Sequence, residues 1–545
     1  MVNVMKNRIL LLLLVLFPTA SFAFAQEEPV LPGAPPFRET VEVRVMDLDV
    51  SVTDSRGLPV PDLKREDFTV RVDGKVVPID YFTRIEEGTI HAPDLATASP
   101  EKVLAEYRSG SEAYVPRHFL IYVDLGHMAL PARNRTVEAL KDLVIRFGPS
   151  DSARVVMFDR RGKELTEWTA SKETLLSALS RIKDSGVLMP RLITERQTLR
   201  DMDSIPVFRR SSREAIARSY AQQERAAVRT LLSDIESELA TLTPLPGKKI
   251  LLFATGGFEL QPGYAMTAYA LGGFGLPTEG DLSKELNTIV RRANASEITF
   301  YTIDARGLTA QGISASEDDP LAARPGIAGL EDSQTGLRTL AQETGGVALV
   351  NSNDFKGGLE RVYRDSSTYY SIGVNLSKLA ATGYQNVRVD VSRPGVTVRA
   401  RRGFAPRSGV EVARDRTQAA LMTNVAYNAF PVSLKTAPPT KTKRLYNLPL
   451  QVTFPASGLT FLQQEGKTAR ADAEFYIGVI DDAGRMSDIA RGEASFALPS
   501  ESPPNAPITY TASLQTKKGS YRVVVNVRDK ATGKMGTGKA DVRVE

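Results

Sequence analysis

The sequence predicts a mixed α/β and β protein of several domains, with a mostly parallel sheet covered by helices and further β-sandwich parts. Three observations predict this class. The chain has 545 residues, which is too long for one core, because a domain holds roughly 100–200 residues. Short apolar strands alternate with helical patterns between residues 117 and 366, which is typical of a parallel sheet. Period-two alternation dominates before and after that region and indicates antiparallel strands.

The N-terminal residues predict an export signal. Lys6 and Arg8 precede an apolar run at 9–17, and the small-residue pattern Ala23-Phe24-Ala25 follows it. We expect residues 1–25 to be a signal peptide, with the mature chain in the periplasm, on the outer surface or secreted. No later run reaches about 18 apolar residues, so no transmembrane segment is expected.

Composition limits the classes of function. The chain has no cysteine, which excludes disulfides, thiolate metal sites and cysteine nucleophiles. Its formal charge of +5 is too small to indicate binding to nucleic acid. The histidines are His91, His118 and His127, and no nucleophile elbow or phosphate-binding glycine loop occurs in a supporting context. We therefore expect no enzymatic activity and no catalytic residue.

The order of the patterns divides the chain into consecutive segments. After the signal peptide we predict a Pro-rich linker at 26–37, an N-terminal β unit at 38–95, an α/β domain at 117–366 with a helical insertion at 184–243, strands at 367–407, a connector at 408–446 and an immunoglobulin-like β-sandwich at 447–545. We expect the strands at 367–407 to pair with the N-terminal β unit, so that a β-sandwich flanks the α/β domain or receives it as an insertion. A change of apolar parity predicts a bulge near Met46 and Asp47.

Two segments depart from a minimal α/β domain. The insertion carries a helical pattern from Glu214 to Leu242 with an apolar stripe, and its other face predicts either a solvated surface or a docking surface. That other face carries Arg213, Arg218, Arg225 and Arg229. The segment 257–280 is rich in Gly, Tyr and Phe, which predicts an ordered but irregular loop beside the strand ends.

Three segments together resemble the von Willebrand factor A-related domain family best known from acidobacteria. They are "LDVSVTDSRGLPVPDLKREDFTVRVDGKVVPIDYF", "LRTLAQETGGVALVNSNDFKGGLERVYRDSSTYYSIGV" and "VRVDVSRPGVTVRARRGF", in that order. The resemblance covers about residues 40–405. It implies a von Willebrand A-like, Rossmann-type sheet and a role in protein recognition, and it names no partner.

The resemblance also implies where a metal ion would bind. Metal-binding von Willebrand A domains use an Asp-x-Ser-x-Ser loop, a Thr from a second loop and an Asp after the fourth strand. Asp124 matches the first aspartate, but Gly126 and Met128 stand at the two serine positions and offer no oxygen ligand. Thr255-Gly256-Gly257 stands where the last aspartate is expected. We therefore favour no metal, with Asp124 accepting hydrogen bonds from amides of its own loop.

A rearranged metal site is the alternative. Four side chains follow neighbouring strands and could hold magnesium or another divalent cation: Asp124, Asp159, Asp304 and Glu259. No other cofactor is expected.

The leading hypothesis is an exported, non-enzymatic recognition or adhesion protein that binds an unknown protein or cell-envelope partner at the strand-end rim of the α/β domain. The candidate contact residues are Asp124, His127, Thr255, Phe258 and Asp304. Two alternatives remain open: a divalent-metal-dependent adhesin with a rearranged site, and a structural component of cell-envelope assembly.

Overall fold

The computed structural model describes residues 45–545 except for short gaps. The gaps are 92–107, 110–111, 186–189, 273–280, 309–326, 376–382, 406, 423–425, 443–444, 464–467, 483–484 and 500–501. The described residues form two compact units, one from 45 to 405 and one from 407 to 545. The predicted signal peptide and Pro-rich linker lie outside the described residues. No helix in the described part of the chain is long and apolar enough to cross a membrane.

In its described residues, the first unit contains seventeen strands and eight helices. Its strands are β1 (Val45–Thr53), β2 (Phe68–Val72), β3 (Lys75–Val77), β4 (Tyr81–Glu86), β5 (Thr89–His91), β6 (Arg108–Ser109), β7 (Glu112–Ala113), β8 (Arg117–Asp124), β9 (Asp151–Phe158), β10 (Gly162–Glu164), β11 (Lys248–Thr255), β12 (Ile298–Asp304), β13 (Ala348–Leu349), β14 (Tyr369–Asn375), β15 (Gln385–Val391), β16 (Thr397–Arg399) and β17 (Gly403–Phe404). Its helices are α1 (Leu130–Ile145), α2 (Lys172–Lys183), α3 (Pro190–Asp203), α4 (Arg210–Leu242), α5 (Tyr264–Leu271), α6 (Ser283–Ala295), α7 (Ile327–Glu343) and α8 (Phe355–Ser367).

Strands from both ends of this unit build a β-sandwich. One sheet has the order β16-β1-β14-β4-β5 and the other has the order β17-β15-β2-β3. Met46, Leu48 and Val50 of β1 point into the core between the sheets, where β14 and β15 contribute Ile372 and Val387. The pairing of β1 with β14 is unbroken from Val45 to Val50. The bulge predicted near Met46 and Asp47 is therefore wrong.

The α/β domain lies in the chain between the two halves of that sandwich. Its sheet has the order β10-β9-β8-β11-β12-β13, which is 3-2-1-4-5-6 within the domain, the doubly wound order of Rossmann-like folds. The five strands β9, β8, β11, β12 and β13 are parallel, and the edge strand β10 is antiparallel to β9. Helices α1, α2 and α8 cover one face with a shared apolar core. On the other face Tyr122 donates to Asp234 of α4, and Thr302 donates to the Leu337 carbonyl of α7.

The helical insertion consists of α3 and α4, and α4 is about 50 Å long at 1.5 Å per residue. Two details differ from the sequence prediction. Arg213 is buried instead of lying on a solvated face, because its guanidinium stacks on the Tyr269 ring of α5, 5.3 Å from the ring centroid. The segment predicted as an irregular loop contains α5, whose two ends are glycines with positive φ, Gly263 and Gly272.

The second unit is one helix and nine strands. They are α9 (Gly409–Met422), β18 (Ser433–Thr436), β19 (Thr440–Thr442), β20 (Leu445–Pro455), β21 (Leu462–Gln463), β22 (Thr468–Asp481), β23 (Ala490–Pro499), β24 (Pro507–Thr516), β25 (Gly519–Asp529) and β26 (Met535–Val544). One sheet has the order β18-β20-β19 with β24 on β20, and the other has the order β21-β22-β25-β26 with β23 on β22. The two sheets share one core, in which the Phe475 and Tyr510 rings stack at 3.7 Å. Helix α9 and strands β18 and β19 lie within the predicted connector at 408–446. The immunoglobulin-like topology stays a prediction.

Taken together, the chain has a mixed α/β fold with several sheets, and this class of fold is the one that the sequence predicts.

Candidate functional site

Three polar residues meet at the carboxyl edge of the α/β sheet. Strands β8, β11 and β12 end at Asp124, Thr255 and Asp304, and Thr255 lies opposite Asp304 in the register. The Thr255 hydroxyl donates to Asp124 Oδ2 across 2.7 Å. All three residues are 0% exposed. We call these three residues the strand-end cluster.

The Asp124 carboxylate has donors on both oxygens. The Gly126 amide donates to Oδ1 at 3.0 Å, as expected for an aspartate that follows a strand. The Thr255 hydroxyl and His127 Nδ1 each lie 2.7 Å from Oδ2. Three of the roughly four acceptor positions of this carboxylate are therefore occupied by protein groups.

His127 connects this loop to the long helix α4. Its side chain is only 4% exposed, and Nε2 lies 3.6 Å from Glu224 Oε1. The imidazole therefore lies between two carboxylates, one on the sheet and one on the insertion. This arrangement places α4 beside the loop that follows β8.

Asp304 has a cation from its own loop. Arg306 Nε donates to Oδ1 and Nη2 donates to Oδ2, both at 2.8 Å, and Gln334 Nε2 donates to Oδ2 at 3.0 Å. Arg306 Nη1 also donates to Ser333, at 2.9 Å. A bidentate guanidinium neutralises a carboxylate and fixes its orientation. The buried charge of Asp304 is therefore balanced within the domain.

Two glycines leave no room for a ligand after β11. A Cβ on Gly256 would lie 1.7 Å from the His127 carbonyl oxygen, so the two loops pack backbone against backbone. A Cβ on Gly257, which has a φ of +87°, would lie 2.7 Å from Arg306 Nη2. The position where a metal-binding domain needs an aspartate is thus packed against an arginine.

The residues present do not fit a metal ion. Within the described ranges, no three His, Asp or Glu side chains converge in a way that could hold one. Glu259 accepts from the Gly263 amide at 2.9 Å, and Asp304 carries the Arg306 guanidinium. Asp159 follows β9, and the four carboxylates proposed as a rearranged site are not brought together as one ligand set. A divalent cation stays an untested alternative.

Three helices pack together beside the strand-end cluster. Side chains of α3, α5 and the first half of α4 form a small apolar core with Leu199, Met202, Tyr220 and Met266. A Cβ on Gly263 would lie 2.5 Å from Ala221 Cβ, so α5 begins in direct contact with α4. We call α3, α5 and residues 210–226 of α4 the helical cap. Glu224 of the cap lies 3.6 Å from His127 Nε2, which places the cap beside the loop that follows β8.

The side chains of the five predicted contact residues are buried in this structure. His127 and Thr255 are each hydrogen-bonded to Asp124, and Asp304 is beside Thr255. Phe258 is 0% exposed, with its ring 6.2 Å from that of Phe253 and packed against Gly336. Their role as direct contacts stays a prediction, and in this conformation their side chains offer no surface to a partner.

Three residues of the site were not predicted from the sequence: Arg306, Glu224 and Gln334. A signal existed for two of them. Arg306 comes two residues after a strand-end aspartate, and Glu224 lies four residues before Val228 on the apolar stripe of α4. Gln334 had no such signal, because only the packing of α7 brings it to Asp304.

Comparison with known proteins gives weak structural similarities. No protein-family model and no curated protein matches the chain. A von Willebrand factor type A protein from Catenulispora acidiphila is 10% identical, with a TM-score of 0.26 over 93% of this chain and 75% of that chain. An aerotolerance-related membrane protein from Bacteroides fragilis is 11% identical, with a TM-score of 0.25 over 46% of this chain and 98% of that chain. The pilus adhesin SpaC from Lactobacillus rhamnosus GG is 8% identical, with a TM-score of 0.26 over 88% of this chain and 61% of that chain. At these values they assign no activity or partner to this chain.

Proposed function

We propose that this chain is an exported, non-enzymatic recognition or adhesion protein of the von Willebrand A-related type, which binds a protein or cell-envelope partner without a metal ion. The doubly wound sheet order and the three-segment resemblance support the type. The observation that carries metal independence is the Asp304–Arg306 pair, because a guanidinium supplies the positive charge that a cation would bring.

The contact surface in this proposal is the exposed part of the strand-end edge. Leu130 begins α1 just after the β8 loop and is 43% exposed, and Leu308 follows β12 and is 64% exposed. Both lie in the segments that directly follow the carboxyl ends of parallel strands, where open α/β sheets bind their ligands. The strand-end cluster then supports these loops instead of touching the partner.

A capture experiment with envelope extract from the source cells tests the proposal. The Leu130→Asp/Leu308→Asp variant should lose most of the material that the wild type captures. The matched control is Ile145→Asp, because Ile145 is 56% exposed at the opposite end of α1 and should leave capture unchanged. Unchanged melting temperatures of both variants show that the fold is intact.

The same experiment separates the alternatives. EDTA should not affect capture if recognition is independent of metal, and loss of capture in EDTA would support the metal-dependent adhesin. Equal capture by the rim variant and the wild type would contradict the proposal and favour a structural role in envelope assembly, in which this edge makes no contact.

A further inference from the structure

The turn between α3 and α4 presents two large apolar side chains to solvent. Val207 is 76% exposed and Phe208 is 83% exposed. The turn is hydrogen-bonded, since the Ile205 amide donates to the Met202 carbonyl at 3.0 Å and the Arg209 amide donates to the Pro206 carbonyl at 2.9 Å. We call residues 204–210 the hairpin tip. Its exposed pair is therefore held on an ordered turn.

The hairpin tip is anchored to the helical cap. Leu199 and Met202 of α3 are buried against Ala217 of α4, directly below the turn. Arg213 donates to the Ile205 carbonyl at 3.4 Å while its guanidinium stacks on Tyr269. The cap thus has its own packed core, and Val207 and Phe208 lie outside it.

Cationic side chains lie next to the exposed pair in the chain. Arg209 and Arg210 directly follow Phe208 and are exposed. Arg210 donates one bond to the Leu271 carbonyl at 3.0 Å, and the carboxylate of Asp203 accepts from the Tyr269 hydroxyl. The hairpin tip therefore carries two exposed apolar side chains followed by two exposed arginines, and its sequence contains no acidic residue.

We propose that the hairpin tip inserts into the interface of an anionic lipid bilayer. Val207 and Phe208 enter the acyl boundary, and Arg209 and Arg210 contact phosphates, because long basic side chains can extend to the headgroup level while their stems stay in apolar surroundings. Anionic lipids attract each arginine near the surface. This contact does not use the strand-end edge, so it is independent of the proposed function.

The size of the tip favours a lipid surface over a groove on a protein. A stable protein interface buries about 800 Å² on each partner and has a core of several apolar residues. The tip has two exposed apolar residues, Val207 and Phe208. The nearby residues Ser204, Ser211 and Ser212 are exposed and polar. A contact with the headgroup region of a bilayer needs only a few exposed apolar side chains with cationic side chains next to them.

Sedimentation of the full chain with vesicles tests the proposal. The vesicles are phosphatidylcholine alone and phosphatidylcholine mixed with phosphatidylglycerol. Wild type should bind the anionic vesicles, and Val207→Ser/Phe208→Ser should weaken binding by about tenfold or more. Arg209→Gln/Arg210→Gln should weaken it by a similar factor and reduce its dependence on salt. The control Ile145→Ser removes an exposed apolar side chain elsewhere in the same unit and should bind like wild type.

Fluorescence reports insertion directly. The chain has one tryptophan, Trp168, so Trp168→Phe/Phe208→Trp places the only indole at the tip. Its emission should shift to the blue on anionic vesicles, and brominated lipids should quench it. Absence of vesicle binding would overturn the proposal. It would favour a contact in which the tip occupies a groove on a protein partner. Equal binding by Val207→Ser/Phe208→Ser, or binding without a blue shift, would overturn it as well.

Discussion

Replacing Arg306 with methionine tests whether its guanidinium balances the buried charge of the strand-end cluster. Asp304 is 0% exposed, and its two oxygens accept from Arg306 at 2.8 Å. In Arg306→Met the carboxylate keeps only the Gln334 amide and the backbone amide of residue 306. Removing one partner of a buried ion pair costs about 3–5 kcal/mol, because the other charge stays buried without compensation.

Partial exposure lowers the expected cost. The Arg306 side chain is 29% exposed, so water can approach the carboxylate once the guanidinium is gone. We expect the free energy of unfolding of the first unit to fall by about 2–3 kcal/mol. For a domain of this size that corresponds to a decrease of roughly 4–12 °C in melting temperature. Thermal and urea unfolding of the full chain, followed by near-UV circular dichroism, measures the change.

A surface pair provides the control for Arg306→Met. Arg402 is 59% exposed and lies 2.9 Å from Glu343, so Arg402→Met should cost less than about 1 kcal/mol. Adding Asp304→Asn to Arg306→Met should recover part of the loss, because the uncompensated charge is then removed. If Arg306→Met costs no more stability than Arg402→Met, the Arg306 guanidinium does not balance the buried charge of Asp304, and this account of the strand-end cluster is wrong.

Three further predictions concern the same domain. The melting temperatures of the wild type and Asp124→Ala should not rise when magnesium, manganese or calcium replaces EDTA, whereas a site at 100 times its Kd would add about 2.7 kcal/mol. Gly256→Ala should destabilise the first unit by about 3 kcal/mol in urea unfolding, since its Cβ would lie 1.7 Å from the His127 carbonyl oxygen and the backbone must move. Burial, together with the nearby charge of Lys249, lowers the pKa of His118 from 6.5 to about 3. The unfolded state therefore binds a proton that the folded state does not as the pH falls from 6.5 towards 3. Stability should fall by about 2 kcal/mol between pH 7 and pH 5, a loss that His118→Gln removes and His91→Gln does not.

Each of these predictions has a result that contradicts it. A melting temperature that rises with a divalent ion in the wild type, but not in Asp124→Ala, would establish a rearranged metal site. A Gly256→Ala variant as stable as wild type would show that the two loops can separate at little cost. Equal pH dependence in His118→Gln and in the wild type would assign the acid sensitivity to other groups.

Much of the sheet could be predicted because its strands are short apolar runs that end in a polar residue. Strands β8, β11 and β12 end at Asp124, Thr255 and Asp304, and parallel strands bring their carboxyl ends to one edge. The position of these residues at a common edge therefore follows from the sequence pattern alone.

The position of the helical cap beside that edge could not be predicted, because it depends on contacts between distant segments. The helix α5 begins and ends at glycines, and a glycine-rich segment reads as a loop until its packing against α4 is known. Arg213 occupies a polar position of a helix and is buried only because Tyr269 lies over it. Local patterns report propensity, whereas burial here is decided by tertiary partners.

The first strand of the β-sandwich, β1, is synthesised long before its partner strand β14. Val50 of β1 pairs with Tyr370, and at about 5–20 residues per second the ribosome makes the partner roughly 15–60 s later. An unpaired apolar strand is a template for association with other nascent chains. Asp47 and Asp49 place charge on the opposite side of β1, which opposes such association. In the folded protein Asp49 accepts from Lys248 of the α/β domain at 2.8 Å. The carboxylate that opposes association of the unpaired strand therefore also stabilises the folded one.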